Sequence, residues 1–487
     1  MKNPTASSST SLLFLSLAIA SLVLFSSVND GDAAADRKLM ATETHQFHNI
    51  KLTSILPGSV CESSSEGQKP SPSSLKVVHK HGPCHKQQNT KESLSSSASQ
   101  ILTHDESRVK SINSRIAFNA ARKSFTSTNS VTVPAKSGSS LNAGNYIVTV
   151  GLGSPKKDLS LIFDTGSDLT WTQCEPCARS CYDQADPIFN PLQSTTYSNV
   201  SCSAPQCNQL KSATGNSPSC NGNTCIYGVQ YGDQSFTVGF FVKDKLTLSP
   251  TDVVPDFYFG CGQNNQGLFG QTAGLIGLAR DKLSIVSQTS QKYGNVFSYC
   301  LPSRSSETGY LTFGQSAVSK TIQYVPFADT QGTTFYFIDI VAIYVGGENL
   351  RISPTVFSTA GSIIDSGTVI TRLPPAAYTA LRNTFRKQMT QYALGKPVSI
   401  LDTCYDFSKY STVQIPTISI VFGGNKKIDI HVSGILYVIN PSQVCLAFAP
   451  NSDASDVLIY GNVQQKTMQV VYDVAGGKLG FGAQGCA

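Results

Sequence analysis

Beyond residue 104 the sequence has a single histidine, His431. That scarcity weighs against a structural zinc. Cys174, Cys177 and Cys181 in "CEPCARSC" have zinc-like spacing, but such a site needs a second clustered pair of Cys or His. Charge is also sparse: 14% of the 487 residues are charged against 40% hydrophobic. This excludes a compositionally disordered chain and leaves apolar material for a large core in two or three domains. After one apolar run near the start no second run occurs, and the C-terminal "GFGAQGCA" lacks the hydrophobic tail of a lipid anchor. The mature chain is expected to be soluble. An excess of cations is missing from most of the chain. Residues 131–487 carry 37 − 14 = 23 Lys and Arg against 31 − 9 = 22 Asp and Glu. That balance argues against nucleic acid as the main partner, because phosphate contacts demand clustered cations.

What is present begins with Lys2 and the run "LLFLSLAIASLVLF" from Leu12 to Phe25. It falls short of the roughly 20 residues of a spanning helix and reads as a cleavable secretory signal over residues 1–30, directing the chain to the apoplast or a vacuole. The Ser and Thr before it would also suit a plastid transit peptide, but arginine is missing there. Residues 31–130 follow as a basic propeptide. Residues 1–130 hold 14 Lys and Arg against 9 Asp and Glu, a net of +5, and six of the seven histidines: His45, His48, His79, His81, His85 and His104. The expectation is a prosegment whose cations sit near acidic groups of the body and let go when those carboxylates protonate; a solvated tail is the plain alternative. "HKHGPCHK" at His79 to Lys86 gathers three His and one Cys, but Gly82-Pro83 puts a turn in its middle, so a strand and turn is expected rather than a metal site. Twelve cysteines from Cys174 to Cys486 suit six disulfides in an oxidising compartment.

The body reads as all-β. "NYIVTVGLG" at Asn145 to Gly153 and "FYFIDIVAIYVGG" at Phe335 to Gly347 alternate apolar and polar residues into glycine turns, and Pro374 to Met389 is the clearest helix. Two stretches echo each other. "LIFDTGS" at Leu161 to Ser167 returns as "SIIDSGT" at Ser362 to Thr368, with the aspartates 365 − 164 = 201 residues apart. Each is a strand ending on Asp, with a Gly two residues later for a tight turn and a hydroxyl after it that can hydrogen-bond there. Each is followed by a second hydrophobic strand with glycine, "AGLIGLA" and "VLIYGNV". The expectation is two similar lobes, residues 131–330 and 331–487, each bringing one Asp to a shared cleft.

Two carboxylates about 3 Å apart repel by roughly 332/(20 × 3), or about 5 kcal/mol, at an effective dielectric near 20, which separates their pKa values by roughly four units. Such a pair holds one proton at mildly acid pH. Its ionised member takes a proton from water while its protonated member hydrogen-bonds a carbonyl, so general base and general acid act without metal or cofactor.

From about Gly144 onward the chain resembles the pepsin family of aspartic proteases, in its plant nepenthesin-like branch. The likeness rests on "YIVTVGLGSP", "FDTGSDLTW", "YGDQS", "AGLIGLA", "IIDSGT" and "IYGNVQQKTMQVVYDVAGGKLGF". It implies a bilobal fold of two β-barrel-like lobes, with Asp164 and Asp365 as the catalytic pair supported by Ser167, Thr368, Gly166 and Gly367. It places Tyr231 and Gly232 on a flap over the substrate, with Trp171, the only Trp in the chain, as the partner of Tyr231. The N-terminal segment becomes an inhibitory propeptide, the substrates proteins or peptides, and the protein a monomer. The Cys-rich stretch between Trp171 and Tyr231 carries the nepenthesin-like character. Close spacing suggests the pairs Cys202–Cys207 and Cys404–Cys445, although connectivity stays open. Asn199-Val200-Ser201 is a glycosylation candidate. The flap reads Gln234 where Gly is commoner in the family. The competing readings are a catalytically silent, glycosidase-inhibitor-like binding protein and a plastid DNA-associated protease, for which Arg108 to Lys123 would be the basic helix.

Overall fold

A computed structural model describes residues 46–62, 73–85, 94–124, 146–231, 235–267, 269–315, 321–328, 334–483 and 485–486. The signal run Leu12–Phe25, the expected propeptide end near 130, and Gly232 and Gln234 of the flap lie outside the described residues.

The segment before the body is woven into it. Strand β1 (Phe47–Lys51) pairs antiparallel with Thr412–Pro416, matching Phe47 to Pro416. Strand β2 (Ser74–His79) buries Leu75 and Val77 and lies between Thr308–Phe313 and the first body strand, so both its edges are hydrogen-bonded. A disulfide, Cys61–Cys84, ties together the stretches that follow β1 and β2. Helix α1 (Leu94–Ser124) comes next. It buries Ala98 and Leu102 against one apolar cluster and Val109 and Ile112 against another, both in the C-terminal lobe. The 3.6-residue repeat brings those positions to one face.

In the body, β3 (Tyr146–Leu152) runs antiparallel to β4 (Lys157–Asp164), and their apolar residues are buried against the core. β5 (Trp171–Gln173) follows. A hairpin of β6 (Thr224–Gln230) and β7 (Phe236–Ser249) matches Gln230 to Phe236, so Tyr231 opens its tip. β8 (Gly274–Gly277) returns parallel to β4, with Gly277 opposite Asp164. These strands belong to one 15-stranded sheet that continues through β2 into Val296–Cys300 and Gln469–Asp473, joining the two halves of the chain. The second half repeats the device: β9 (Ser362–Ile364), β10 (Thr371–Leu373) and β11 (Leu458–Tyr460), the last parallel to β9. The fold is mainly β, as the turn density implies, and bilobal, as the repeated motif implies. The expected helix is Pro375–Gln388, with proline in its first turn and Ala377, Tyr378, Leu381 and Phe385 buried. "FYFIDIVAIYVGG" holds two strands, Tyr336–Ile338 and Ile340–Val345, serving different sheets on either side of Asp339.

The twelve later cysteines form six disulfides, including Cys404–Cys445. The pairing Cys202–Cys207 is corrected: Cys202 bonds Cys220 and Cys207 bonds Cys225. Cys220 and Cys225 face each other across the Ser219–Gln230 hairpin, so each takes one of the two cysteines flanking the start of helix Pro205–Thr214. Spacing along the chain carries no trace of this. Cys84 is consumed by Cys61, so "HKHGPCHK" has no thiolate to offer a metal. Asn199 is exposed on a two-residue strand beside β7.

Candidate active site

Each aspartate ends a buried strand and is followed by a turn that faces its counterpart. Two mirrored hydrogen bonds lock the turns together: Ser366 N–H donates to Thr165 Oγ1 at 2.8 Å, and Thr165 N–H donates to Ser366 Oγ at 3.1 Å. The hydroxyl after each Asp therefore explains the repeated small polar residue, and it fixes the lobes in register. Gly166 and Gly367 donate their N–H groups to Asp164 Oδ1 (2.9 Å) and Asp365 Oδ1 (3.0 Å). Neither glycine is among the left-handed residues, so the tight-turn reading gives way to one of close approach. A Cβ on Gly166 would stand 2.8 Å from Asp365 Oδ1, and one on Gly367 would collide with Asp164 Oδ1. Each loop needs glycine because the other lobe's carboxylate lies against it.

The supports are unequal. Thr368 Oγ1 donates to Asp365 Oδ2 at 2.6 Å. Ser167 is close enough to favour the charged form of Asp164, yet its buried hydroxyl makes no hydrogen bond of ordinary geometry. At the tip of the β6–β7 hairpin, Trp171 Nε1–H donates to Tyr231 Oη at 2.7 Å. Phe269 packs edge-on to both rings, 4.8 Å from Trp171 and 5.8 Å from Tyr231 between centroids.

Both carboxylates are reached by one cation that sequence reading did not single out. Arg108 of α1 donates from Nη2 to Asp164 Oδ1 (2.6 Å) and Asp365 Oδ1 (3.0 Å), from Nη1 to Asp164 Oδ2 (3.2 Å) and from Nε to Asp365 Oδ2 (3.0 Å). Asp164 and Asp365 are buried beneath it. Burial pushes the Asp164 carboxyl up, but the charge and hydrogen bonds of Arg108, with the Gly166 N–H, outweigh it and hold Asp164 below the ordinary range. Burial and then the charge of Asp164 push Asp365 above that range, against the pull of Arg108. The two titrate as a pair.

Two family models match the body: "Xylanase inhibitor N-terminal" over residues 146–315 and "Xylanase inhibitor C-terminal" over residues 335–483. An aspartyl protease family protein of Arabidopsis thaliana is 55% identical over 443 residues, which cover 90% of this chain and 93% of the relative. The chain belongs to the plant branch of the pepsin-like aspartic protease family. Aspartic proteinase nepenthesin-2 of Nepenthes gracilis is 40% identical over 346 residues, covering 68% of this chain and 75% of its own. Among solved structures, that of Basic 7S globulin from soybean matches with a TM-score of 0.57 at 20% identity, over 70% of this chain and 91% of that one; it shows the same fold. In this family member α1 makes further contacts beside the aspartate pair. Asp105 accepts the N–H groups of Val369 (2.6 Å) and Ile370 (3.1 Å) and pairs with Arg372 (3.0 Å), all buried. Arg115 donates to the Gly166 carbonyl at 3.3 Å and stands 4.8 Å from the centre of the Phe335 ring. The net +5 of the segment gives the sign of the Arg108 contacts but not that of Asp105, an acid of the segment that pairs with a cation of the body; the addresses of all of them depend on where the helix lies.

Proposed function

We propose that the chain is the precursor of an acid-acting aspartic endopeptidase, in which Asp164 and Asp365 activate water and α1 holds the cleft shut. The observation that carries this is the convergence of both carboxylates, locked by Thr165 and Ser366, on one guanidinium of the preceding segment. With Arg108 gone, the facing carboxylates share one proton. The ionised member removes a proton from water, the hydroxyl attacks the scissile carbonyl carbon, and the protonated member donates to the carbonyl oxygen. Collapse of the tetrahedral adduct breaks the C–N bond as the amine receives a proton from the pair. Thr368 steadies Asp365, and Tyr231, braced by Trp171, covers the substrate. Seven disulfides support export to an oxidising compartment, apoplast or vacuole. The precursor segment runs from the signal to about residue 130.

Both carboxylates and their hydrogen-bond donors are intact, which supports catalysis over a silent binding role. Arg108 and Arg115 point into the cleft, which takes them away from any use of α1 on DNA. The test is digestion of a protein mixture at about pH 4 after removal of the segment, with and without pepstatin, reading cleavage sites by mass spectrometry. Cleavage that stops with pepstatin and in Asp164→Asn is expected; cleavage that persists in that variant overturns the reading.

A further inference from the structure

We propose that Arg372 and the N–H groups of Val369 and Ile370 form a carboxylate-binding subsite of the open cleft, which takes an Asp or Glu side chain of the peptide substrate. In the precursor the subsite is filled by Asp105. The inference rests on the protease reading above and names part of its substrate preference.

Asp105 is fully buried and uses both oxygens: Oδ1 accepts from Val369, and Oδ2 accepts from Ile370 and from Arg372 Nη2. Glu106 stands 3.2 Å from the same Nη2. Among the described residues, the ion-pair partners of Arg372 are these two carboxylates, and both belong to α1. Arg372 is about 1% exposed, and its Nε and Nη1 are buried without a hydrogen-bond partner. A buried cation without a partner is strongly unfavourable, and an apolar side chain of similar volume would serve packing better. The body nevertheless places an arginine here and supplies no acid for it within ion-pair distance among the described residues. Departure of α1 leaves a guanidinium and two backbone donors converging on one point, the donor set that a carboxylate satisfies.

The internal repeat shows where this point lies. Arg372 follows Asp365 by seven residues, as Trp171 follows Asp164. Thr371 Oγ1 accepts the Gly461 N–H as Thr170 Oγ1 accepts the Gly277 N–H. Arg372 is matched to Ile459 of β11 as Trp171 is matched to Leu275 of β8. In one lobe this position braces the flap; in the other it holds a cation. Asp105 and Arg108 lie about one helical turn apart on one face of α1, and Val369, which donates to Asp105, follows Gly367, which donates to Asp365, by two residues, so the cradle and the aspartate pair are neighbours. An extended peptide rises about 3.3 Å per residue, which puts the recognised acid within about three residues of the scissile bond.

The experiment uses the enzyme freed of its precursor segment and fluorogenic peptides paired as Asp/Asn and Glu/Gln at each of three positions on either side of the cleaved bond, at about pH 5. One position should favour the acid over its amide by roughly ten- to a hundredfold in kcat/KM, the effect of one charge-assisted contact. In Arg372→Met that ratio should fall to about one, whatever the absolute rate, and Arg372→Lys should retain part of it. A wild-type enzyme indifferent to the acid at all positions overturns the inference without touching the protease reading, and so does a preference that survives in Arg372→Met. Failure to cleave any peptide in a pepstatin-sensitive way overturns both.

Discussion

Replacing Arg108 with Met in the intact precursor removes all four hydrogen bonds to the aspartate pair while keeping an apolar stem on α1. Taking one partner from a buried ion pair costs about 3–5 kcal/mol, so at pH 7 the equilibrium between closed and open cleft should move by roughly 10² to 10³·⁵ towards open. The effect should shrink in acid. The Asp164 carboxyl is held below its ordinary 3.8 by Arg108 against burial, so its contact with α1 is at full strength above that value and is lost only as pH falls through the lowered one. Without Arg108 only short-range hydrogen bonds such as those of Gly166, Gly367 and Thr368 counter burial and mutual repulsion, so both pKa values rise and the pair takes up a proton at higher pH, which relieves part of the cost. Arg108 itself stays charged throughout, because the two carboxylates outweigh its burial. The assay is the initial rate of peptide cleavage by purified precursor from pH 4 to 7, before a shorter chain is visible on a gel. Arg108→Met should be active where the wild-type precursor is silent, with the largest ratio near neutrality, and Arg108→Lys should lie between them, since an ammonium cannot span both carboxylates as the fork does. A mutant precursor as silent as wild type at every pH would refute the assignment of Arg108 as the closing contact.

Asp164→Asn in the freed enzyme should lower turnover by roughly 10²–10⁴-fold with an unchanged thermal midpoint, since it removes general acid–base chemistry and little packing; normal turnover would refute the role. Gly367→Ala should abolish activity and destabilise the fold, because the added methyl meets Asp164 Oδ1 and Arg108; a normally active, stable variant would refute the close-approach account. Tyr231→Phe leaves the Trp171 N–H without the hydroxyl it donates to and should lower kcat/KM by roughly tenfold, measured on the freed enzyme. Burial first, then the charges of Lys80, His104 and His85, lowers His81 to about 3, and burial with Lys80 lowers His104 to about 4. Both values lie below the ordinary 6.5, so the neutral forms stabilise the precursor above about pH 6.5, and this is lost as pH falls towards 4 and then 3. The precursor's thermal midpoint should drop over that window, less steeply in His81→Gln/His104→Gln, and equal slopes would refute the contribution.

Much of the site was legible because it is local. A strand, an Asp and a Gly two residues on are set by neighbours in sequence, and their recurrence 201 residues later identified the pair. The pairing of Trp171 with Tyr231 followed from the family likeness. What was not legible depends on which surfaces meet. The hydroxyls of Thr165 and Ser366 were visible as a repeated residue type, but their reciprocal bonds span the lobes. Charge counting located a cationic segment, while the choice of Arg108 follows from the face α1 presents once Val109 and Ile112 are buried. The Cys202 and Cys207 partners follow from a hairpin register that no spacing encodes.

The repeat also separates what must be shared from what can diverge. Asp, hydroxyl and Gly, and the threonine six residues after each Asp, do the same work in both lobes because that work is holding backbone and carboxylates in register. The seventh residue is freed from it, since β5 and β10 are anchored by the threonine before it. Trp171 uses the freedom to hydrogen-bond Tyr231 at the hairpin tip. Arg372, at the matching place, faces carboxylates of α1. A two-fold scaffold thus gives the pair its near-symmetry, and the two lobes diverge at the position where the scaffold makes no demand.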